Sequence, residues 1–287
     1  MNTKNYLFML KIQQIKKVVR NLIPINELDI LLSESIKKRK EFLHTHPEYR
    51  LKLPELLKLV YFIFQYKQGY SVAAITKHKE FFGIEFFVNK HVLIPRPETE
   101  LIIEETLNEI NNSAKKILLI DVGTGSGCIP ISILKNTKNI HSAIALDISK
   151  DALKVAEKNI IKYKTDTKLL KSNLLTKILD QDYQTFDQII ITANLPYLTN
   201  TQVKEEPSIH REPKIALIAK ENGLALYHQL LIQITKIFNN KKLLVLFEID
   251  PTQTDQITQL TQEYLPKSKI EIKKDLANLD RILKIST

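Results

Sequence analysis

Two stretches of this chain have residue types and spacing that could hold and orient a reacting ligand. The first is Asn194-Leu195-Pro196-Tyr197, reached at the end of the run Phe186-Asp187-Gln188-Ile189-Ile190-Ile191-Thr192-Ala193. That run reads as a buried strand breaking at a polar amide followed by proline. In open α/β sheets ligands sit in the crevice outside the carboxyl ends of the strands, so an amide delivered there is a site candidate. By itself the pattern is equally an ordinary exit from strand to loop, where Asn and Pro are common.

The second stretch is Ile117-Leu118-Leu119-Ile120-Asp121-Val122-Gly123-Thr124-Gly125-Ser126-Gly127, a buried strand running into a turn that holds three of the chain's six glycines. Glycines let the backbone turn tightly and approach a ligand closely, and the helix that follows offers free N–H groups. The spacing departs from the dinucleotide fingerprint and from the phosphate loop, so a pyrophosphate is not its natural guest. About twenty residues on, the strand Ala143-Ile144-Ala145-Leu146 ends in Asp147, placed to accept hydrogen bonds from ribose hydroxyls. Turn and acid together point to a nucleotide-like ligand.

The elements that must position these groups alternate. Strand patterns at 116–121, 143–147, 168–171, 186–193 and 242–248 are separated by helical patterns from Gly127, over 151–162 and over 223–237. A helix from Thr252 and strands at 269–272 and 281–285 close the chain, and the last pair is free to be antiparallel. Such alternation predicts an α/β fold, a mostly parallel sheet with helices on both faces. Before it, the first 70 or so residues carry helical periodicity, as in Leu28, Leu31, Leu32 and Ile36, and almost no strand signal. The runs Phe81 to Val88 and His91 to Ile94, split by Asn89-Lys90, predict a hairpin between the two parts. Domains are accordingly expected at 1–75, a helical domain, at 76–96, a hairpin linker, and at 97–287, the α/β domain. Pro95-Arg96-Pro97 holds Arg96 in a stiff, extended segment before a helix with acidic residues in its first turn.

Composition sets limits. With 287 residues, 44% hydrophobic and 26% charged, the chain can bury a full core. The net charge of +10 would suit an acidic or nucleic-acid partner, but the lysines are scattered and a general compositional bias explains them as well. One cysteine, Cys128, excludes an internal disulfide and a cysteine-based zinc cluster and suits a packing role. His44 and His46 flank Thr45 without a third ligand patterned nearby, so no metal site is expected. No stretch reaches the roughly 18 apolar residues of a membrane span, and Tyr6-Leu7-Phe8-Met9-Leu10 is too short for a signal segment. A soluble, cytoplasmic protein without membrane association is expected.

Together, these motifs resemble those of S-adenosylmethionine-dependent methyltransferases that modify planar nitrogens. More narrowly, the chain is similar to the protein-glutamine methyltransferases that act on peptide chain release factors. The resemblance runs from about Leu28 to the C-terminus. It rests on Phe81-Phe82-Gly83, Leu93-Ile94-Pro95-Arg96-Pro97-Glu98-Thr99-Glu100, Asp121 through Gly127, Asp147, and Asn194 to Tyr197. Glu212-Pro213 with Ala216-Leu217, Glu248-Ile249, and Asp275-Leu276-Ala277 followed by Arg281 complete it. The Pro-Arg-Pro-Glu-Thr-Glu segment beneath a helical N-terminal domain is its specific part. There are departures: Leu195 stands where the family has a first Pro, Ser172-Asn173-Leu174 where it has Ser-Asp and an aromatic, and Lys77 and Asn278 where glycine is expected.

The resemblance implies a Rossmann-like seven-stranded sheet and S-adenosylmethionine as cofactor, held by Gly123, Thr124, Gly125, Ser126, Gly127, Asp147, Asn173, Leu174 and Asn194. Asn173 would contact the adenine amino group and Leu174 cover the ring. It implies a catalytic stretch Asn194, Leu195, Pro196 and Tyr197, in which the Asn194 side-chain oxygen and the Leu195 carbonyl accept the two N–H groups of a glutamine amide while Tyr197 stacks on it. The implied partner is a release factor whose Gly-Gly-Gln loop enters the pocket, met by a monomer with no stable nucleic-acid binding. Glu212 and Glu248 are read as loop and strand-end scaffolding. Two other substrates fit the same chemistry: a glutamine of a large-subunit ribosomal protein, and the exocyclic amino group of adenine in a nucleic acid.

Overall fold

The computed structural model describes residues 10–110, 116–179, 183, 185–206, 209–238 and 240–287. The segment Tyr6-Leu7-Phe8-Met9, weighed above as a signal sequence, lies outside them. The chain divides into two compact units, the first ending at Lys77 and the second beginning at His78.

The first unit is helical: α1 (Ile12–Val19), α2 (Ile25–Ile36), α3 (Lys40–Thr45), α4 (Leu53–Lys67) and α5 (Val72–Thr76). Pro54 sits in the first turn of α4, where its missing N–H costs nothing, and the Ser71 hydroxyl caps α5 by accepting from Ala74 N at 3.2 Å. The apolar stripe read from the sequence becomes its core, with Leu28, Leu31 and Leu32 fully buried beside Ile12, Leu43 and Leu59.

The second unit opens with the hairpin β1 (His78–Phe81) and β2 (Ile84–Phe87). Its turn is Phe82-Gly83, not Asn89-Lys90, and residues 91–94 form no strand. Both turn residues have positive φ, 49° and 69°, the two-residue geometry that matches strand twist. The Phe82 N–H is then bound by the Glu100 carboxylate at 2.8 Å, which ties the turn to the start of α6 (Glu100–Ile110).

Next come β3 (Ile117–Val122), α7 (Cys128–Asn136), β4 (Ile140–Asp147), α8 (Lys150–Tyr163), β5 (Lys168–Lys171), β6 (Gln188–Ala193) and α9 (Asn200–Glu205). The chain continues through α10 (Ala225–Phe238), β7 (Lys242–Glu248), α11 (Thr254–Tyr264), β8 (Lys269–Lys274) and β9 (Asp280–Ser286). The strands form one seven-stranded sheet in the order β5-β4-β3-β6-β7-β9-β8, parallel except for the two pairings of β9. The alternating pattern therefore folds as expected, and the closing pair is antiparallel.

β3 and β6 are buried along their whole length, as strands covered on both faces must be. Alternate residues of β3 face opposite cores: Leu118, Ile120 and Val122 belong to the one that buries α10 and α11 residues, Ile117 and Leu119 to the one that buries α6 and α7 residues. The edge strands β5 and β8 each carry an exposed lysine at both ends, Lys168 and Lys171 in one, Lys269 and Lys274 in the other. Lys77 and Asn278, two departures from the family pattern, both have left-handed backbone, φ 63° and 62°, the conformation for which glycine is the unstrained residue.

Candidate active site

Sheet register lines up the groups singled out in the sequence. Val122 of β3 pairs with Leu146 of β4 and Ala193 of β6, and Ala193 pairs with Phe247 of β7. The residue after each of these four is Gly123, Asp147, Asn194 or Glu248, so four strand ends deliver them side by side. A cavity of about 380 Å³ opens there, within the range of small-molecule sites.

One wall is the glycine turn. Gly123 N and Thr124 N donate to Leu146 O at 2.8 and 2.9 Å, pulling the turn over β4. Gly123 has φ 76°, left-handed backbone that glycine adopts without strain, and a Cβ there would lie 2.9 Å from Leu195 Cδ2 and push that side chain aside. Asp147 organises the turn's far side: Gly125 N donates to its Oδ2 at 2.9 Å and Ser149 N to its Oδ1 at 2.8 Å. Burial raises its carboxyl above the ordinary value, against the pull of the backbone N–H groups of Ser149, Gly125 and Ile148. The carboxylate keeps acceptor capacity beyond these bonds.

Thr124, Ser126, Asn173 and Leu174 complete this wall, with Leu174 left-handed at φ 49°. Behind it, burial pushes the Asp121 carboxyl up to about 6 and the Cys128 thiol up to about 12. Cys128 packs in the core with Ile129 and Ile131.

The opposite wall carries Asn194, Leu195 and Pro196. The N–H that Leu195 has and a proline would lack finds a partner: it donates to the Tyr227 hydroxyl at 3.2 Å, and that hydroxyl donates to the Glu248 carbonyl. The Asn194 amide nitrogen donates to Glu248 Oε2 at 2.9 Å and to Thr99 Oγ1 at 3.1 Å. Thr99 Oγ1 in turn donates to Glu248 Oε2 at 2.6 Å, and the Tyr197 hydroxyl to Glu248 Oε1 at 3.1 Å. Glu248 is only 1% exposed, and burial raises its carboxyl although Thr99, Tyr197 and Arg281 pull it down.

Tyr197, expected to stack on the substrate amide, donates its hydroxyl to Glu248 and packs its ring against the α10 side of the core, while Asn194, Leu195 and Pro196 line the cavity. Glu248, at the end of β7, is the centre of the hydrogen bonds behind Asn194.

A roof comes from the Pro-Arg-Pro segment. Ile94 N donates to Glu212 Oε2 at 3.0 Å, and the Arg96 guanidinium donates to Glu212 Oε1. Burial raises the Glu212 carboxyl, with Arg96 and Ile94 opposing. One carboxylate thus joins residues 92–96 to the loop at 209–218, and Leu93 packs with Val203, Ile209 and Leu217 beneath it. Val92, Leu93 and Pro95 line the cavity from one side of this joint, Ile215, Ala216 and Ile218 from the other.

In the sequence Thr99 has no role of its own, nothing points to Tyr227, and Glu212 and Glu248 stand as scaffolding without their partners. Glu248 could have been found, since it ends an apolar strand just as Asn194 does. Tyr227 gives no such sign, being one tyrosine on an apolar helical stripe. Among the described residues no helix is long and apolar enough to cross a membrane, and no group of three or more His, Cys, Asp or Glu could hold a metal ion.

The sequence matches the family model of the methyltransferase small domain over residues 98–208. It is 34% identical to a release factor glutamine methyltransferase from Flavobacterium psychrophilum, over 84% of each chain. It is 36% identical to another from Mycoplasma mycoides subsp. mycoides SC, over 91% of this chain and 93% of that one. Among solved structures, the hMettl16 catalytic domain in complex with MAT2A 3'UTR hairpin 1 superposes with TM-score 0.58 over 90% of this chain and 91% of that one. Its 13% identity makes this a likeness of fold alone.

Proposed function

Because the chain belongs to the release factor glutamine methyltransferase family, we propose that it transfers a methyl group from S-adenosylmethionine to a glutamine side-chain amide nitrogen of a peptide chain release factor, in its Gly-Gly-Gln motif. The observation that carries this reading is the single cavity shared by the glycine turn with Asp147 and by Asn194 with Leu195.

The residues present fit the cofactor. Thr124 and Ser126 set hydroxyls on the cavity wall beside the Asp147 carboxylate, a set of polar groups that a ribose and its polar substituents can use. Asp147 would take the ribose hydroxyls with its remaining lone pairs, Asn173 the adenine amino group, and Leu174 one face of the ring. Bound S-adenosylmethionine supplies a methyl group on a positively charged sulfur that leaves as a neutral thioether.

The protein's own contribution is orientation. An amide nitrogen is a poor nucleophile because its lone pair is delocalised into the carbonyl. Asn194 Oδ1 and the Leu195 carbonyl accept its two N–H groups and turn the lone pair toward the methyl for an in-line displacement. Val122, Leu146, Leu174, Leu195 and Leu226 give the cavity apolar walls, and charge disappears along the reaction path, so a water-poor pocket favours the transition state. No side chain need remove a proton until the methylated amide has formed. The helical domain at 1–75 docks the release factor, and the α/β domain performs the transfer.

The test is incubation with methyl-labelled S-adenosylmethionine and, separately, a release factor, a ribosomal subunit and total RNA. Label on the release-factor glutamine, abolished by Asn194→Ala, is the expected result. Label confined to the ribosomal protein or to RNA overturns the reading.

A further inference from the structure

We propose that Glu248 and Thr99 are a positioning pair that fixes the polarity of the Asn194 amide, holding its nitrogen inward so that its oxygen is the end offered to the substrate. This rests on the function proposed above and adds the reason why Asn194 serves as an acceptor.

An asparagine side chain is nearly symmetric in shape and can present either end; its surroundings decide which. Here they leave no choice. As a carboxylate Glu248 can only accept, and the three side chains hydrogen-bonded to it reach it as donors: Thr99 at 2.6 Å, Asn194 at 2.9 Å and Tyr197 at 3.1 Å. The single Thr99 hydroxyl proton is given to Glu248, so towards Asn194 that hydroxyl can only accept, which it does at 3.1 Å. Because these two acceptors lie only 2.6 Å apart, the inward N–H of Asn194 is directed at both of them. Flipping the amide would set its oxygen against two acceptors in a site where Glu248 is 1% and Thr99 2% exposed.

The pair therefore selects the reacting group. A nitrogen carrying hydrogens finds an acceptor, whereas an oxygen or a nitrogen without hydrogens does not. Such preorganised polarity acts in the complex with substrate.

The experiment compares Glu248→Gln, Thr99→Val and Thr99→Ser in the full chain, using whichever substrate the wild-type protein labels. Failure of the release-factor reading and failure of the positioning pair are then separate results. A glutamine at 248 can accept or donate, so both amide orientations become possible. The expected loss in kcat is about 10- to 100-fold, the worth of one hydrogen bond to a charged group, while affinity for S-adenosylhomocysteine stays within about threefold. Thr99→Val should lower kcat about fivefold and Thr99→Ser should restore it, because serine keeps the hydroxyl and valine only the shape.

A folded Glu248→Gln protein that binds S-adenosylhomocysteine normally and keeps kcat within about threefold of wild type overturns the proposal. Should Glu248→Gln fail to fold, the Thr99 variants decide alone: equal kcat for valine and serine overturns it, and a gap of about fivefold supports it.

Discussion

Replacing Tyr227 with phenylalanine removes one oxygen and leaves two backbone groups without a partner. Tyr227 is fully buried, and its hydroxyl accepts from Leu195 N at 3.2 Å and donates to the Glu248 carbonyl. Leu195 and Glu248 are themselves only 4% and 1% exposed, so water cannot replace the lost bonds without opening the core. Each orphaned group costs roughly 1–3 kcal/mol, and relief from burying the hydroxyl offsets a part, which puts the variant at roughly 2–4 kcal/mol less stable. The source of that loss can be isolated. In a Leu195→Pro background the N–H is already gone, so Tyr227→Phe strands only the Glu248 carbonyl. The two costs should differ by about 1–2 kcal/mol, a coupling between neighbouring sites. Urea denaturation of the four proteins measures it, followed by far-UV circular dichroism because the chain has no tryptophan. Equal costs in both backgrounds would refute the assignment of Tyr227 as the partner of the Leu195 N–H.

Glu212→Gln should loosen the roof by about 1–2 kcal/mol, a figure kept low because Arg96 is partly exposed, and limited proteolysis should then cut near Arg96 and in the loop at 209–218. Gly123→Ala places a Cβ 2.9 Å from Leu195 Cδ2 on left-handed backbone, so affinity for S-adenosylhomocysteine by calorimetry should fall at least about tenfold while circular dichroism is unchanged. The Asp121 carboxyl, at about 6 in the folded protein against 3.8 ordinarily, keeps its proton longer in the native state than in the unfolded chain. Stability of the ligand-free protein therefore declines as pH rises from about 4 to about 6 and levels off above, by roughly 3 kcal/mol from this group. Asp121→Asn removes that slope, so its stability relative to wild type should rise between pH 4 and 7 in paired denaturation curves; a constant difference would contradict the raised value.

How much of this was legible depended on how far apart the partners lie in the chain. β3 and β6 were plain because strands covered on both faces must be apolar throughout, and their polar ends marked Gly123 and Asn194 at once. The hairpin was misplaced by several residues because Phe81, Phe82, Phe86 and Phe87 give no alternation from which to find the turn. Gly83 was the available clue, but a phenylalanine at φ 49° beside it is not what a turn signature predicts. The left-handed positions of Lys77 and Asn278 could be suspected only through the family pattern, since neither residue type demands that geometry. Thr99 and Tyr227 were out of reach for a different reason: their contacts with Asn194 and Leu195 span 95 and 32 residues, and no local pattern encodes which buried hydroxyl will meet which amide. The hydrogen bond from Tyr197 to Glu248 was equally out of reach, because a chain position beside Asn194 does not say which partner the ring's hydroxyl will find.

The lysines that close both ends of β5 and β8 give the surplus of positive charge a second meaning. These two strands are the outer edges of the sheet, each with a row of backbone groups that another chain could extend. An approaching β5 edge must bring its own Lys168 and Lys171 against the same charges, whereas on β8 Lys269 and Lys274 are already paired with Glu271 and Asp280. Part of the net charge of +10 thus acts between molecules as a barrier to edge-to-edge aggregation, and concentrated salt, which shortens the reach of such repulsion to a few ångströms, is the condition under which that protection fades.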